Sequence, residues 1–162
     1  MAERVAKTVL LVCQANTARS VMAQAYLARL LAARGLDGGV SVVSGGVAPW
    51  ARDGMLASLD ARLALKADGI AVDETASVST ALREHPELVA AADMVVTMTV
   101  AQKIALDGAA RGRVYTLREL AGEAGDIADP AGQGEAAFVA SRDEIKRCLA
   151  KALDRLLGVL GA

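Results

Sequence analysis

Two residues near the amino terminus carry side chains suited to chemistry on a phosphate group. Cys13 ends the apolar run VLLVC, and Arg19 follows after five intervening residues, within the stretch LLVCQANTARSVMAQ. A cysteine thiolate can attack phosphorus, and an arginine guanidinium can hold two phosphate oxygens at once. The same pair is also compatible with a buried structural cysteine and a solvated helix residue. Its place after a buried-type strand and before a helical pattern favours the catalytic interpretation.

The residues between Cys13 and Arg19 could form the rest of a phosphate site. A turn from strand to helix presents several backbone N–H groups and the positive end of a helix dipole, which together bind a dianion. The same donors favour the thiolate form of the cysteine. We therefore expect the phosphate to be bound by the loop residues Gln14, Ala15, Asn16, Thr17 and Ala18, with Ser20 placed to hydrogen-bond the cysteine sulfur.

A cysteinyl-phosphate mechanism also needs an acid for the leaving group and a base for water. One acidic motif suits this need, the glycine-flanked loop GDIADPAGQG at 125–134, in which Asp129 precedes Pro130. The proline restrains Asp129 toward an extended conformation, which stiffens the loop. Taken without Cys13, the same stretch reads as a simple turn before the last helix.

The rest of the chain predicts the elements that position these residues. Strands without polar alternation are predicted at 9–12, 40–43, 94–98 and 114–117. Helices are predicted at 20–35, 54–67, 80–91 and 100–109 and from 135 onward, the last with an apolar stripe that includes Cys148. This alternation predicts an α/β fold of three layers, with a four-stranded parallel sheet, helices on both faces and the phosphate loop between the first strand and the first helix. The 162 residues fit a single domain, 1–162.

Composition excludes several classes of function. The net charge of −1 gives no reason to expect nucleic-acid binding, and no apolar run approaches the roughly 18 residues of a membrane span. The amino terminus lacks the layout of a signal peptide. Cys13 and Cys148 are far apart and form no metal-binding pattern. We expect a cytoplasmic, reduced protein with no metal and no cofactor.

VCQANTARSVMAQ resembles the phosphate loop of the low-molecular-weight protein tyrosine phosphatase family, usually written V-C-x-G-N-x-C-R-S-P-M-A-E. Further pieces match in order and spacing: VSGG at 43–46, ADMVVTMT at 92–99, VYTLREL at 114–120 and DIADP at 126–130. The resemblance implies Cys13 as nucleophile, Arg19 as phosphate clamp and Asp129 as acid and then base. It also implies that Asn16, Ser20 and Ser44 form a polar network that holds the loop.

Two positions bear on the substrate. Thr17 stands where the family's bacterial protein-arginine phosphatases carry threonine and tyrosine phosphatases more often carry a larger aliphatic residue. Ala131 stands where tyrosine phosphatases tend to have an aromatic. The resemblance therefore favours a phosphorylated protein as partner and phosphoarginine as substrate, in a monomer or weak dimer. A tyrosine phosphatase is the first alternative, and a catalytically silent phosphate-binding module is the second.

Several residues depart from the family pattern or stay open. Ala15 replaces the family glycine and strains the loop if that position needs a positive φ. Asp73–Glu74 replaces a frequent Asp-His pair and removes one partner of the network. Trp50 has two interpretations, an aromatic that lines the cleft or partly buried packing. His85 is expected on a solvated helix, and Cys148 in the core.

Overall fold

The structure of the protein, a computed structural model, describes residues 6–73, 75 and 77–162. The strands are β1 Lys7–Cys13, β2 Val40–Gly46, β3 Met94–Thr97 and β4 Arg113–Thr116. The helices are α1 Arg19–Ala33, α2 Leu59–Ala67, α3 Pro86–Ala91, α4 Val100–Leu106, α5 Leu117–Leu120 and α6 Glu135–Leu160, with a 3₁₀ turn at Leu82–Glu84. The predicted α/β fold is confirmed.

All four strands are parallel and lie in the order β2-β1-β3-β4. The register sets Cys13 beside Gly46, at the carboxyl ends of β1 and β2. After β1 the chain forms β2 on one side of β1, and it later forms β3 on the other side of β1. Open α/β sheets bind ligands at the carboxyl ends of the strands beside such a reversal. Cys13 therefore ends the strand at the expected ligand position.

The unbroken apolar run of β1 faces two separate cores. Val9 and Leu11 pack with α1, α2, α5 and α6 on one face of the sheet. Leu10 and Val12 pack on the other face against the 3₁₀ turn, α3 and α4. Alternate residues of a strand point to opposite faces, so a strand that is covered on both sides must be apolar at every position. The three-layer arrangement follows from this pattern.

The second helix begins later than the sequence indicated. We expected it over 54–67, but α2 starts at Leu59, with the hydroxyl of Ser58 accepting the N–H of Ala61. Gly54 has φ +81°, and Leu56 forms an isolated antiparallel bridge with Val78. Gly54 therefore lies in a turn, and residues 55–58 are non-helical chain that pairs with another segment through Leu56, a tertiary contact that local helical spacing cannot indicate.

The predicted helix at 80–91 is divided in two. Pro86 has no N–H and begins α3, and the residue before it, His85, leaves helical geometry at φ −133°. His85 thus lies at the junction of the 3₁₀ turn and α3, and the expectation of a histidine within a helix was wrong.

The fourth strand ends at Thr116, which caps the short helix α5, an element that was not predicted from the sequence.

The long carboxyl-terminal helix agrees with its predicted apolar stripe. Ile145, Cys148, Leu149, Ala152 and Leu156 are fully buried. Cys148 belongs to the core as expected, and burial raises the pKa of its thiol. Within the described part of the chain, no helix is long and apolar enough to cross a membrane.

Candidate active site

The loop between β1 and α1 forms the floor of a small cup of about 60 Å³ at the carboxyl edge of the sheet. Eight of the residues predicted for the site line this cup together with Ala131: Cys13, Gln14, Ala15, Thr17, Ala18, Arg19, Trp50 and Asp129. Asn16 and Ser20 are buried, and Ser44 is partly buried. The fold thus brings Asp129 to a loop that is more than 100 residues away in sequence.

Asn16 holds the loop in a backbone conformation that few residues adopt. Its φ is +62°, the only positive value at a described residue other than glycine. Asparagine visits this left-handed region more readily than most side chains. Ala15, where the family has glycine, does not have a positive φ. The strain considered for Ala15 is therefore absent, and the unusual conformation lies one residue later.

The hydrogen bonds of Asn16 have a fixed direction. The backbone N–H of Thr80 donates to Asn16 Oδ1 at 2.9 Å, which leaves Nδ2 as the donor side of the amide. Nδ2 donates to Ser20 Oγ at 2.8 Å and to Ser44 Oγ at 3.0 Å. Both hydroxyls therefore act as acceptors toward Asn16 and keep their own protons for other partners.

Each of these protons has one partner close by. Gln24 Nε2 donates to the carbonyl of Val42, so its Oε1 accepts the proton of Ser44 at 2.7 Å. Ser20 Oγ lies 3.0 Å from Cys13 Sγ. A thiolate sulfur can only accept hydrogen bonds, so with Cys13 ionised the Ser20 hydroxyl donates to Sγ. The backbone N–H of Asn16 also points at Sγ, at 3.3 Å. Two donors therefore converge on the cysteine, an arrangement that stabilises a thiolate.

Gly46 makes room for the loop. A Cβ atom at this position would lie 2.7 Å from the carbonyl oxygen of Gln14 and 2.8 Å from the carbonyl carbon of Ala15. Both contacts are with backbone, which cannot swing aside as a flexible side chain could. The loop also hydrogen-bonds the chain that follows Gly46, because Val47 N donates to Cys13 O and Ala48 N to Gln14 O.

Arg19 is almost fully buried, and its guanidinium is held by the segment that carries Asp129. Its Nη1 donates to the carbonyl of Ile127 at 2.8 Å, and its Nη2 lies 3.6 Å from Asp129 Oδ2. The second distance is an ion pair, too long for a hydrogen bond. Asp129 is half-exposed, so solvent screens this pair. Nη2 therefore keeps hydrogen-bonding capacity for an anion in the cup.

The two oxygens of Asp129 have different surroundings. Oδ1 accepts the N–H of Ala131 at 3.0 Å, closing a turn around Pro130. Gln133 Nε2 donates to the carbonyl of Asp129 at 2.9 Å and holds the same loop. Oδ2 faces Arg19 and the cup. Oδ1 thus fixes the orientation of the side chain, and Oδ2 is free to interact with a group bound in the cup.

The segment that carries Trp50 is held by an ion pair outside the cup. Asp53 Oδ1 accepts the N–H of Ala81 at 2.7 Å, and Oδ2 lies 2.7 Å from Nε2 of His85. The Ala81 N–H and the His85 ring lower the pKa of Asp53, and the Asp53 hydrogen bond raises the pKa of His85. Trp50 itself is 64% exposed and lines the cup, so the cleft interpretation of this residue agrees with its position.

Sequence reasoning missed four parts of the site: the space at Gly46, the amide of Gln24, the Thr80 N–H and the Ile127 carbonyl. Gln24 could have been found, because it lies four residues after Ser20 and therefore on the same face of α1. The two backbone groups carry no side-chain signal at all. Glu74, named as a departure from the family, lies outside the described residues. No group of three or more candidate metal ligands occurs among the described residues.

Comparison with known proteins shows the family of this chain. The family model described as low molecular weight phosphotyrosine protein phosphatase matches residues 8–158. The chain belongs to this family. It is therefore a phosphatase, and the family's substrates are phosphorylated proteins.

Three relatives illustrate the range of the family. A protein-arginine-phosphatase of Geobacillus stearothermophilus is 36% identical over 91% of this chain and 95% of its own length. A probable low molecular weight protein-tyrosine-phosphatase, EpsP of Ralstonia nicotianae, is 35% identical over 87% of this chain and 90% of its own. A solved structure of a YwlE arginine phosphatase mutant with a phosphorylated active-site serine has a TM-score of 0.81. Its identity is 33%, over 93% of this chain and 95% of that one.

Proposed function

We propose that this chain dephosphorylates phosphoarginine in proteins through a cysteinyl-phosphate intermediate. The proposal is carried by one observation, the meeting of Cys13, Arg19 and Asp129 around a single cup with Thr17 and Ala131 in its wall. The 36% identity to a protein-arginine-phosphatase supports the choice of substrate.

Cys13 attacks first. Its thiolate, stabilised by the Ser20 hydroxyl and the Asn16 N–H, forms an S–P bond with the phosphoryl group. The loop N–H groups and Arg19 hold the phosphoryl oxygens, whose charge grows in the transition state. Ile127 fixes the guanidinium of Arg19 from behind, so the clamp is oriented before substrate arrives.

Asp129 acts on the leaving group. As the P–N bond breaks, its electron pair goes to the arginine nitrogen, and that nitrogen takes the proton of Asp129 Oδ2. The product is an arginine side chain with its guanidinium restored, beside an ionised carboxylate. Asp129 then removes a proton from water, the water oxygen attacks phosphorus, and the S–P bond breaks to release phosphate and the Cys13 thiolate. In the YwlE arginine phosphatase mutant the active-site serine is phosphorylated, which supports a covalent intermediate here.

The walls of the cup favour a guanidinium over an aromatic ring. The β-branched Thr17 narrows the cup and places a polar hydroxyl at its edge, whereas Ala131 offers no ring to stack on a phenol. The Asp129 carboxylate can pair with the planar guanidinium of the leaving arginine. Phosphotyrosine remains the second candidate, favoured by the 35% identity to a probable tyrosine phosphatase and by Trp50 at the rim.

A paired-substrate assay tests the proposal. One peptide is prepared with phosphoarginine and the same peptide with phosphotyrosine at the same position, and kcat/KM is measured for both on one preparation. We expect phosphoarginine to be preferred by about tenfold or more. Equal rates, or a preference for phosphotyrosine, would overturn the assignment to arginine.

Two variants serve as controls in the same assay. Cys13→Ser should bind inorganic phosphate without turnover, since the anion's donors belong to the backbone and Arg19. Asp129→Asn should slow both reactions, because neither leaving group then has a positioned acid. A folded, reduced wild-type sample that bound phosphate but hydrolysed neither peptide would instead favour the phosphate-binding module.

A further inference from the structure

Most exposed large apolar side chains of the described residues lie on one part of the chain, which includes Trp50 in the lining of the cup. Six of the eight lie in or against one stretch of chain: Trp50, Met55, Leu56, Leu59, Leu63 and Val78. The other two, Val100 and Ile104, are on α4. Leu56 and Val78 pair in an antiparallel bridge, and Leu59 and Leu63 share one face of α2. We call the group Trp50, Met55, Leu56, Leu59 and Val78 the apolar shelf.

A depression of about 390 Å³ joins the apolar shelf to the cup. It is lined by Ala15, Thr17, Trp50, Ala51, Arg52 and Met55. Three of these residues, Ala15, Thr17 and Trp50, also line the cup. The depression is therefore the direct continuation of the place where the phosphoryl group binds. Apart from Thr17 and Arg52 its walls are apolar, so it suits an apolar side chain better than a charged one.

The backbone beneath the shelf is held without help from the exposed side chains. Met55 N donates to Ser79 Oγ at 2.9 Å, and Ser79 N donates to Met55 O at 2.8 Å. Gly54 N donates to Ser79 O at 2.9 Å. Met55 thus has its backbone hydrogen bonds satisfied while half of its surface remains in solvent. Exposed apolar side chains grouped beside a binding site are typical of a contact surface.

We propose that the depression receives an apolar side chain of the substrate protein, two residues from the phosphorylated one. The inference rests on the proposed function, in which the phosphorylated residue belongs to a polypeptide. In an extended peptide, residues i and i+2 point to the same side, about 7 Å apart. The phosphorylated side chain enters the cup, so the neighbour on that side of the peptide faces the adjoining depression.

The test compares peptides that differ at one position. Each carries the phosphorylated residue with leucine or glycine two positions before or after it. Free phosphoarginine, which has no flanking residues, is the reference substrate. The proteins are the wild type, Met55→Ser, and Ile104→Ser as a matched loss of exposed apolar surface on α4. The whole series is repeated with phosphotyrosine peptides.

We expect wild type and Ile104→Ser to prefer leucine over glycine by about tenfold in kcat/KM at one of the two positions. In Met55→Ser the preference should fall to about threefold or less, because the depression loses an apolar wall. The same preference in Met55→Ser as in Ile104→Ser would overturn the proposal, and so would equal rates for leucine and glycine in the wild type.

Two further outcomes are distinguishable. If no phosphorylated substrate is hydrolysed, the proposed function fails. If peptides are hydrolysed without regard to the flanking residue, only the docking assignment fails. Sedimentation of the free protein completes the test: a concentration-dependent dimer that Met55→Ser abolishes and Ile104→Ser retains would assign the apolar shelf to a second copy of this chain and overturn the substrate assignment.

Discussion

The hydroxyl of Ser20 lies 3.0 Å from the sulfur of Cys13 and donates to that sulfur when Cys13 is a thiolate, which can only accept. The Thr80 N–H orients the Asn16 amide, and that amide donates to Ser20, so the hydroxyl proton of Ser20 is not used by Asn16 and is available to the sulfur. A hydroxyl with this orientation stabilises negative charge on sulfur, both in the attacking thiolate and when the thiolate is released from phosphorus.

Replacing Ser20 with alanine should therefore slow catalysis while leaving the phosphate loop intact. A hydrogen bond to a charged group is worth about 1.5–3 kcal/mol, so kcat/KM should fall roughly 10- to 150-fold. Alkylation of Cys13 by iodoacetamide should slow in parallel, because the thiolate is the reactive form and the Ser20 hydroxyl stabilises it. Ser41→Ala, on the exposed side of β2, is the matched control and should change neither rate. Unaltered alkylation in Ser20→Ala would contradict the assigned direction of the hydrogen bond.

Asn16 combines a backbone role and a side-chain role that two variants can separate. Asn16→Gly keeps the positive φ but removes three hydrogen bonds, whereas Asn16→Ala also places a Cβ in an unfavourable conformation. Both should lose activity. Asn16→Ala should be less stable than Asn16→Gly by about 1–2 kcal/mol, the cost of a left-handed residue with a side chain. Urea unfolding of the two variants measures this difference, and equal stabilities would show that the backbone conformation relaxes.

The sequence predicted the parts of this molecule that depend on neighbouring residues. The run 9–12 and the helical period after it place Cys13 at a strand end and Arg19 at a helix start, because burial on both faces and the 3.6-residue repeat are local patterns. The Ile127 carbonyl that orients Arg19, and the Thr80 N–H that orients Asn16, are backbone groups brought in by the fold. Nothing in the residue types at 80 or 127 indicates such a contact. The positive φ at Asn16, instead of at residue 15, also depends on the fold, because the hydrogen bonds of the Asn16 side chain to Ser20, Ser44 and Thr80 hold the backbone in that conformation.

Gly46 should be needed for anion binding because the lack of a side chain leaves room for the phosphate loop. The Cβ of Gly46→Ala would overlap the backbone of Gln14 and Ala15 and push the phosphate loop out of register. We expect binding of inorganic phosphate or vanadate to weaken by about tenfold or more, equivalent to ~1.4 kcal/mol. Gly38→Ala is the matched control, because an added Cβ there meets no atom within 4 Å. Isothermal titration of both variants gives the comparison, and equal affinities would show that the loop adapts.

The His85–Asp53 pair should make part of the stability depend on pH. The pKa of His85 is raised, chiefly by the hydrogen bond to Asp53 and further by Glu87, so its contribution is complete below pH 6.5 and is lost as pH rises through the raised pKa. The pKa of Asp53 is lowered by the Ala81 N–H and then by His85, so its contribution is lost only in acid, as pH falls through the lowered pKa. The pair therefore stabilises the fold most between about pH 4 and 6.5.

The urea midpoints of wild type and His85→Gln provide the measurement. The difference between them should be larger at pH 6 than at pH 8.5, because the contribution of the protonated histidine is lost as pH rises through its raised pKa. Asp53→Asn should reduce the same pH dependence, because it removes the partner that raises the pKa of His85. A difference that is constant over this range would show that the two side chains do not pair in solution.

Thr17 offers the sharpest test of substrate choice, because its hydroxyl and its shape can be changed separately. Thr17→Val keeps the β-branched shape and removes the hydroxyl, whereas Thr17→Ile also enlarges the side chain in the cup wall. Both should move the ratio of kcat/KM values toward phosphotyrosine, since the wall that faces an aromatic ring becomes apolar. One such change is worth ~1–3 kcal/mol, or roughly 10- to 200-fold in the ratio. A shift in both variants assigns selectivity to the hydroxyl, and a shift in Thr17→Ile alone assigns it to the space in the cup. If neither variant changes the ratio, Thr17 only packs, and the preference for phosphoarginine must come from Asp129 and Ala131.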